Sequence, residues 1–445
     1  MIYITKRKRD TMNHKLHDAV LQTRTILRKQ QLATILEQFD HNLMNLTAGQ
    51  RIEKYNKMAE SAFRFYRGSA FLFYYDTTSL PSPFHTPTDC PTWIMGDMHI
   101  DNFGAFRNER GQIVYDVNDF DEGYVGSYLY DVLRMSVSIA LYLEEQGYEE
   151  TLQKTAIQSF LNAYVEQLKR FKSKKDDPKT LMFTKENTKG PIKRMLKKLE
   201  KRQQEQFMQD ITTINENGEH VFKWNDEIHP IDEHLYQKIE QLFPNYNVKD
   251  IAVKHGSGTA SIGLERYYIL ADNTDASGQE DLVLEMKEVR TAIPAYFFPY
   301  NEEFWKKYEH QGARVIETQK AMHHLQDPHL TFVTLDDVQY YIRERSPFKK
   351  KVKPKHYRSE EEFSVTTEIM GKIAAKIHAR ADSDTSDLFD YQSEEVILKE
   401  IGKNVDIFIY KTTLQALHYL DIVKKDYELF KEYVNEFKSA VEVSS

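Results

Sequence analysis

The stretch "GDMHIDNFG", residues 96–104, sets three ionisable side chains, Asp97, His99 and Asp101, between two glycines. It comes directly after the apolar Trp93, Ile94 and Met95. A second acidic run, "NDFDE" at 118–122, follows the apolar "QIVYDV". A hairpin joining the two would bring Asp97, Asn102 and Asp119 to one end of a small sheet. Crowded carboxylates repel one another and take up protons. At an effective dielectric of ~20, two charges about 4 Å apart interact by about 4 kcal/mol. A divalent cation offsets that repulsion. A carboxylate plus an amide oxygen, with several waters retained, suits Mg²⁺. Asp97 is then left as a base aimed at a hydroxyl.

A second constellation lies far downstream. "GSGTASIG", 256–263, falls between two strand-like runs and carries Gly256, Gly258 and Gly263. Such a loop lets backbone N–H groups approach phosphate closely; a Gly-rich hairpin turn explains it equally well. The next strand, "DLVLEMKEV", alternates Leu282, Leu284 and Met286 on one face with Val283, Glu285 and Lys287 on the other. Glu317, in the helical "RVIETQKAM", is expected to face the sheet. A Lys287–Glu317 pair would orient the ammonium toward phosphates.

The elements that must position these groups are legible from periodicity. Residues 12–75 read as helices at three- and four-residue apolar spacing, with a break at Arg67-Gly68. Residues 76–92 form a Pro/Ser/Thr-rich loop. "TWIM", "NFGAF" and "QIVYDV" are short strands, followed by the long helices "GSYLYDVLRMSVSIALYLEEQ" and "LQKTAIQSFLNAYVEQLKRF". From 246 the pattern alternates like antiparallel strands, with a polar loop "ADNTDASGQ", one helix and two further strands. A Lys-rich loop at 349–362 precedes helices to the end. The basic tract 169–202 is expected to be a solvated helical face with a loop rather than a polyanion site.

At this point the motifs resemble the protein-kinase-like fold, and especially aminoglycoside and other small-molecule phosphotransferases. Their Gly-Asp-x-His-x-x-Asn loop stands here as Gly96-Asp97-Met98-His99-Ile100-Asp101-Asn102, and their Asp-Phe motif as Asp119-Phe120. The Gly-rich loop, strand Lys and helix Glu fall in kinase order. The two halves are reversed, since the Gly-rich lobe follows the catalytic loop. The resemblance therefore implies an α+β, two-lobe, circularly permuted fold. Residues 1–245 and 349–445 would form a split helical catalytic lobe, and 246–348 a strand-rich nucleotide lobe. "FYRGSA", "GDMHIDNFG", "NDFDEG", "GSGTASIG", "MKEV" and "HARAD" also resemble a bacterial family of uncharacterised proteins, domain-of-unknown-function family 2252.

The resemblance implies ATP and Mg²⁺ as cofactors and an acceptor hydroxyl on an unidentified small molecule or protein. It makes Asp97 the base and Asn102, Asp119 and Asp121 the Mg²⁺ ligands. Lys287 contacts phosphate with Glu317 as its orienting partner. Gly256, Gly258 and Gly263 let the loop cover the phosphates, and Ser261 donates to them. His99 either positions Asp97 or bonds the loop backbone. Asp131 braces the catalytic loop. Arg67 and Arg343 either bind substrate anions or form internal ion pairs. Two alternatives stay open: a metal-dependent phosphoesterase, and a nucleotide-binding pseudoenzyme; nucleotidyl transfer would use the same parts.

The bulk numbers agree with such a protein. The 445 residues carry a net charge of -8, which argues against nucleic acid as a specific partner. One cysteine, Cys90, permits no internal disulfide and fits a reducing compartment. Neither a secretory h-region nor a membrane-length apolar run is apparent, so a cytoplasmic location without a membrane partner is expected.

Overall fold

A computed structural model of the chain describes residues 2–201, 204–256, 258–272, 281–325, 327–345 and 348–444. Most of the polar loop 271–279, Ser257 and the last residue of the basic tract, Arg202, lie outside the described residues. The fold is mixed α+β, with one six-stranded antiparallel sheet and a large helical body. No described helix is long and apolar enough to cross a membrane.

The helical body holds the main core. Helix Glu150–Lys172 packs along helix Glu361–Arg380, and the approach is so close that a Cβ on Gly371 would lie 2.2 Å from the Phe160 carbonyl oxygen. Helix Tyr128–Glu145, capped by Ser127, runs through the same core with nearly every residue buried. The N-terminal block consists of helix Ile2–Leu36, a π-helical turn Glu37–Leu43 and helices Ala48–Met58, Ala62–Gly68 and Ala70–Thr77. Thr47 and Gln50 form a capping box on the second helix, and Ser61 caps the third. The expected break at Arg67-Gly68 is present.

The sheet runs in the spatial order Ile228–Pro230, Asn247–Lys254, Arg266–Asp272, Asp281–Glu288, Val338–Glu344, Thr331–Leu335. Alternation along Asp281–Glu288 is as the sequence predicts. Leu282, Leu284 and Met286 join Ile239 and Phe243 beside helix Glu233–Glu240 on one face. Val283 packs with Met208 and Phe222 on the other, and Glu285 and Lys287 continue that second face toward the helical body. Helix Glu233–Glu240 and the hairpin Thr212–Ile214/His220–Phe222 therefore cover the sheet, although both precede residue 246.

Candidate functional site

Two short strands, Thr92–Ile94 and Tyr124–Gly126, pair antiparallel and bring the loops around Asp97 and Asp119 side by side. The hairpin Phe103–Arg107/Ile113–Val117 closes the arrangement, as expected. Gly96 has φ +75°, and a Cβ there would lie 2.0 Å from the Glu122 carbonyl oxygen, so the two loops touch through a position only glycine can fill. Asp131, wholly buried on helix Tyr128–Glu145, accepts from Met95 N at 2.6 Å and Gly96 N at 3.1 Å. It is a brace, as the resemblance implies. Ser138 Oγ accepts from Ile100 N at 3.0 Å, a second brace from the same helix.

Asp97 Oδ1 accepts from Arg134 Nε at 2.6 Å. Arg134 is fully buried, with its guanidinium over the Tyr66 ring at 4.4 Å. Burial raises the Asp97 pKa, and Arg134 opposes that rise. Arg134 escaped the sequence reading. The available signal was a basic residue inside the apolar run "YDVLRMSVSIALYL". His99 is buried and does not bond the loop backbone. Its Nε2 lies 3.4 Å from Arg67 Nε and 3.7 Å from Asp97 Oδ2, and Nδ1 has no partner among the described residues. Burial, helped by the charge of Arg67, pushes its pKa well below 6.5, so the ring is neutral.

Asp97, Asn102, Asp119, Asp121 and Ser261 line one cavity. Asn102 Nδ2 donates to the Asp97 carbonyl at 2.9 Å, which leaves its amide oxygen as the remaining acceptor. Asp119 makes no side-chain hydrogen bond or ion pair with a described residue, and Asp121 Oδ1 is buried without a partner. Two under-used carboxylates and an amide oxygen in one cavity fit a hard divalent cation. Glu122 behaves differently: its Oε2 accepts from Ile293 N at 2.5 Å, and burial pushes its pKa up to about 7.

The sheet delivers its share from the opposite side. Lys287 is buried and forms an ion pair with Asp121. Burial alone would raise the Asp121 pKa, but Lys287 holds it below the usual carboxylate range. The expected partner, Glu317, instead pairs with Lys320 at 3.0 Å on the outer side of helix Gln311–Met322. That helix turns Arg314 and Thr318 inward: Arg314 Nη1 donates to the Gly123 carbonyl at 2.6 Å, and Thr318 packs on Gly123. Arg343 forms an internal pair with Glu285 at 2.6 Å.

The loop after strand Asn247–Lys254 folds over this region. Gly256 and Gly263 have φ of +71° and +79°. Thr259–Ser261 forms a 3-10 turn against Gly68 of "FYRGSA". Gly258 and Ser261 line a second cavity of about 500 Å³, which shares Arg67, Asp97 and Asp119 with the first. Gly256 and Gly258 border a third, about 340 Å³, beneath the sheet. Arg290 fastens the loop, donating to the Met44 carbonyl at 2.5 Å and the Gly263 carbonyl at 3.0 Å. Elsewhere, ligand atoms of Asp327, His329 and Glu344 lie within 4.8 Å of one another, but Asp327 already accepts from two backbone N–H groups and braces its loop.

A family model described as an uncharacterized protein conserved in bacteria (DUF2252) matches residues 50–433. No curated protein and no solved structure matches the chain.

Proposed function

The chain belongs to the DUF2252 family, and from its site we propose an ATP- and Mg²⁺-dependent phosphotransferase of circularly permuted, kinase-like build acting on a hydroxyl. The observation that carries this reading is the Lys287–Asp121 ion pair, which joins residues 166 positions apart across one cleft. A buried strand lysine beside two acidic ligands, under a glycine-bearing loop that joins the two preceding strands, is the arrangement phosphoryl transfer requires. Bound Mg²⁺ would neutralise charge on the phosphates, and Asn102, Asp119 and Asp121 would hold it. Asp97 accepts or orients the hydroxyl proton, and Arg134 fixes the carboxylate in place. Lys287, paired with Asp121 here, would contact the phosphate oxygens of a bound nucleotide. The Gly256–Gly263 loop excludes water above them.

In the resting protein Lys287 balances Asp121, so nucleotide and cation replace that pair together. Thermal unfolding tests this. ATP with Mg²⁺ should raise Tm well beyond the sum of the two alone. A large rise with Mg²⁺ alone, followed by phosphoester hydrolysis, would transfer the site to the phosphoesterase reading. One observation favours a second transfer chemistry: Arg266, Arg343, Arg345 and Lys349 line the pocket beneath the sheet, a basic surface that would suit the phosphate tail of a nucleotide bound in the reverse sense. Label transferred from γ-labelled ATP marks phosphotransfer; label from α-labelled ATP marks nucleotidyl transfer.

A further inference from the structure

A cavity of about 500 Å³ lies between Asp97 and Asp119 on one side and the Gly258–Ser261 turn on the other, and in the phosphotransfer reading it would be the room left for an acceptor. Its wall carries four carboxylates, Asp97, Asp101, Asp119 and Glu145, and four cations, Arg64, Arg67, Lys351 and Lys353. That count is balanced, so the partners decide the sign. Asp97 is neutralised by Arg134 behind the wall. Asp119 is a cation ligand in the reading above. Arg64 turns to Glu60 at 3.0 Å. Three cations, Arg67, Lys351 and Lys353, then face two carboxylates, Asp101 and Glu145.

The local geometry sharpens the imbalance. Arg67 Nη1, at 2.8 Å, and Lys351 Nζ, at 2.5 Å, both donate to the same oxygen, Oδ2 of Asp101. One carboxylate thus serves two cations from distant segments. Arg67 Nε points to His99, its guanidinium lies 5.6 Å from the Phe63 ring centre, and Nη2 donates to no described residue. A fixed guanidinium fork with a free donor, beside an ammonium, matches the geometry of phosphate or carboxylate.

We propose that the acceptor is an anion, a hydroxyl compound bearing a phosphate or carboxylate group that Arg67 and Lys351 grip while its hydroxyl lies at Asp97. The role of Asp97 and the omission of Asp119 from the charge balance rest on the phosphotransfer reading; the convergence of Arg67 and Lys351 on Asp101 does not. A polycationic acceptor would meet like charge at this wall.

The test uses the full chain, first without nucleotide and then with Mg²⁺ and a non-hydrolysable ATP analogue. The nucleotide shift by itself tests the phosphotransfer reading. Inorganic phosphate is then titrated at constant ionic strength, with malonate and kanamycin as parallel probes. The clamp predicts saturable stabilisation by phosphate or malonate in both states; the stronger of the two tells phosphate ester from carboxylate. Arg67→Met and Lys351→Met should each weaken anion binding roughly tenfold or more while keeping the nucleotide shift, and Asp101→Asn should tighten it. Absence of anion binding, anion binding unchanged in both variants, or stabilisation by kanamycin in place of the anions would overturn the proposal.

Discussion

Asp119 and Asp121 stand two positions apart, yet one has no side-chain partner among the described residues and the other is paired with Lys287. Removing either the cross-cleft lysine or the unengaged carboxylate should therefore act on nucleotide binding. Lys287→Met and Asp119→Ala are each expected to abolish the joint ATP and Mg²⁺ rise in Tm. Asp97→Asn should keep that rise and lower turnover by ~10²–10⁴-fold, the usual range for a lost general base. Equal loss of binding in all three would remove the assigned division of labour. Glu122 supplies a pH signature. Its folded pKa of about 7 lies above the ordinary 4.5, so the folded state holds a proton that the unfolded chain has released. Stability from this group is fully present below about pH 4.5 and falls as pH rises to about 7. Glu122→Gln keeps an acceptor for Ile293 N, and its Tm should decline less than wild type's between pH 5 and 7.

At the scale of elements, the Asp97 loop is held by a helix rather than by its own turn chemistry. Asp131→Ala would leave the Met95 and Gly96 N–H groups unpaired, at about 1–3 kcal/mol each. Urea unfolding should show that loss, and Asp131→Asn should recover part of it. The long helices, the hairpin and the alternation around Lys287 were legible because apolar spacing encodes which face is buried. The three-residue strands Thr92–Ile94 and Tyr124–Gly126 carry no period, and "TWIM" was readable only as an apolar run. Its partner was not readable at all. Glu317 shows the same limit. The spacing marks a helix, but its rotation is set by Gly312, where a Cβ would lie 2.5 Å from the Tyr340 carbonyl oxygen. That contact brings Arg314 and Thr318 to the cleft and leaves Glu317 outside. Lys351 sits in a run of lysines and gave no sign of being paired.

Across the whole molecule, the chain visits the helical body, builds the sheet, and returns. The residues that line the cleft were recognisable by type and spacing, but the extent of the sheet was not. Its edge strand and covering helix before 246 are short and polar on their outer sides, so composition placed them elsewhere. Arg290 shows what such wiring entails. Its two carbonyl contacts tether the Gly-bearing loop to the end of the π-helical turn, through a residue 246 positions from Met44. That loop cannot breathe without loosening the N-terminal block. Amide hydrogen exchange across residues 37–46, of which Asp40, Met44 and Leu46 border the same cavity as Asp119 and Asp121, should slow when nucleotide is held, and Arg290→Met should weaken that response.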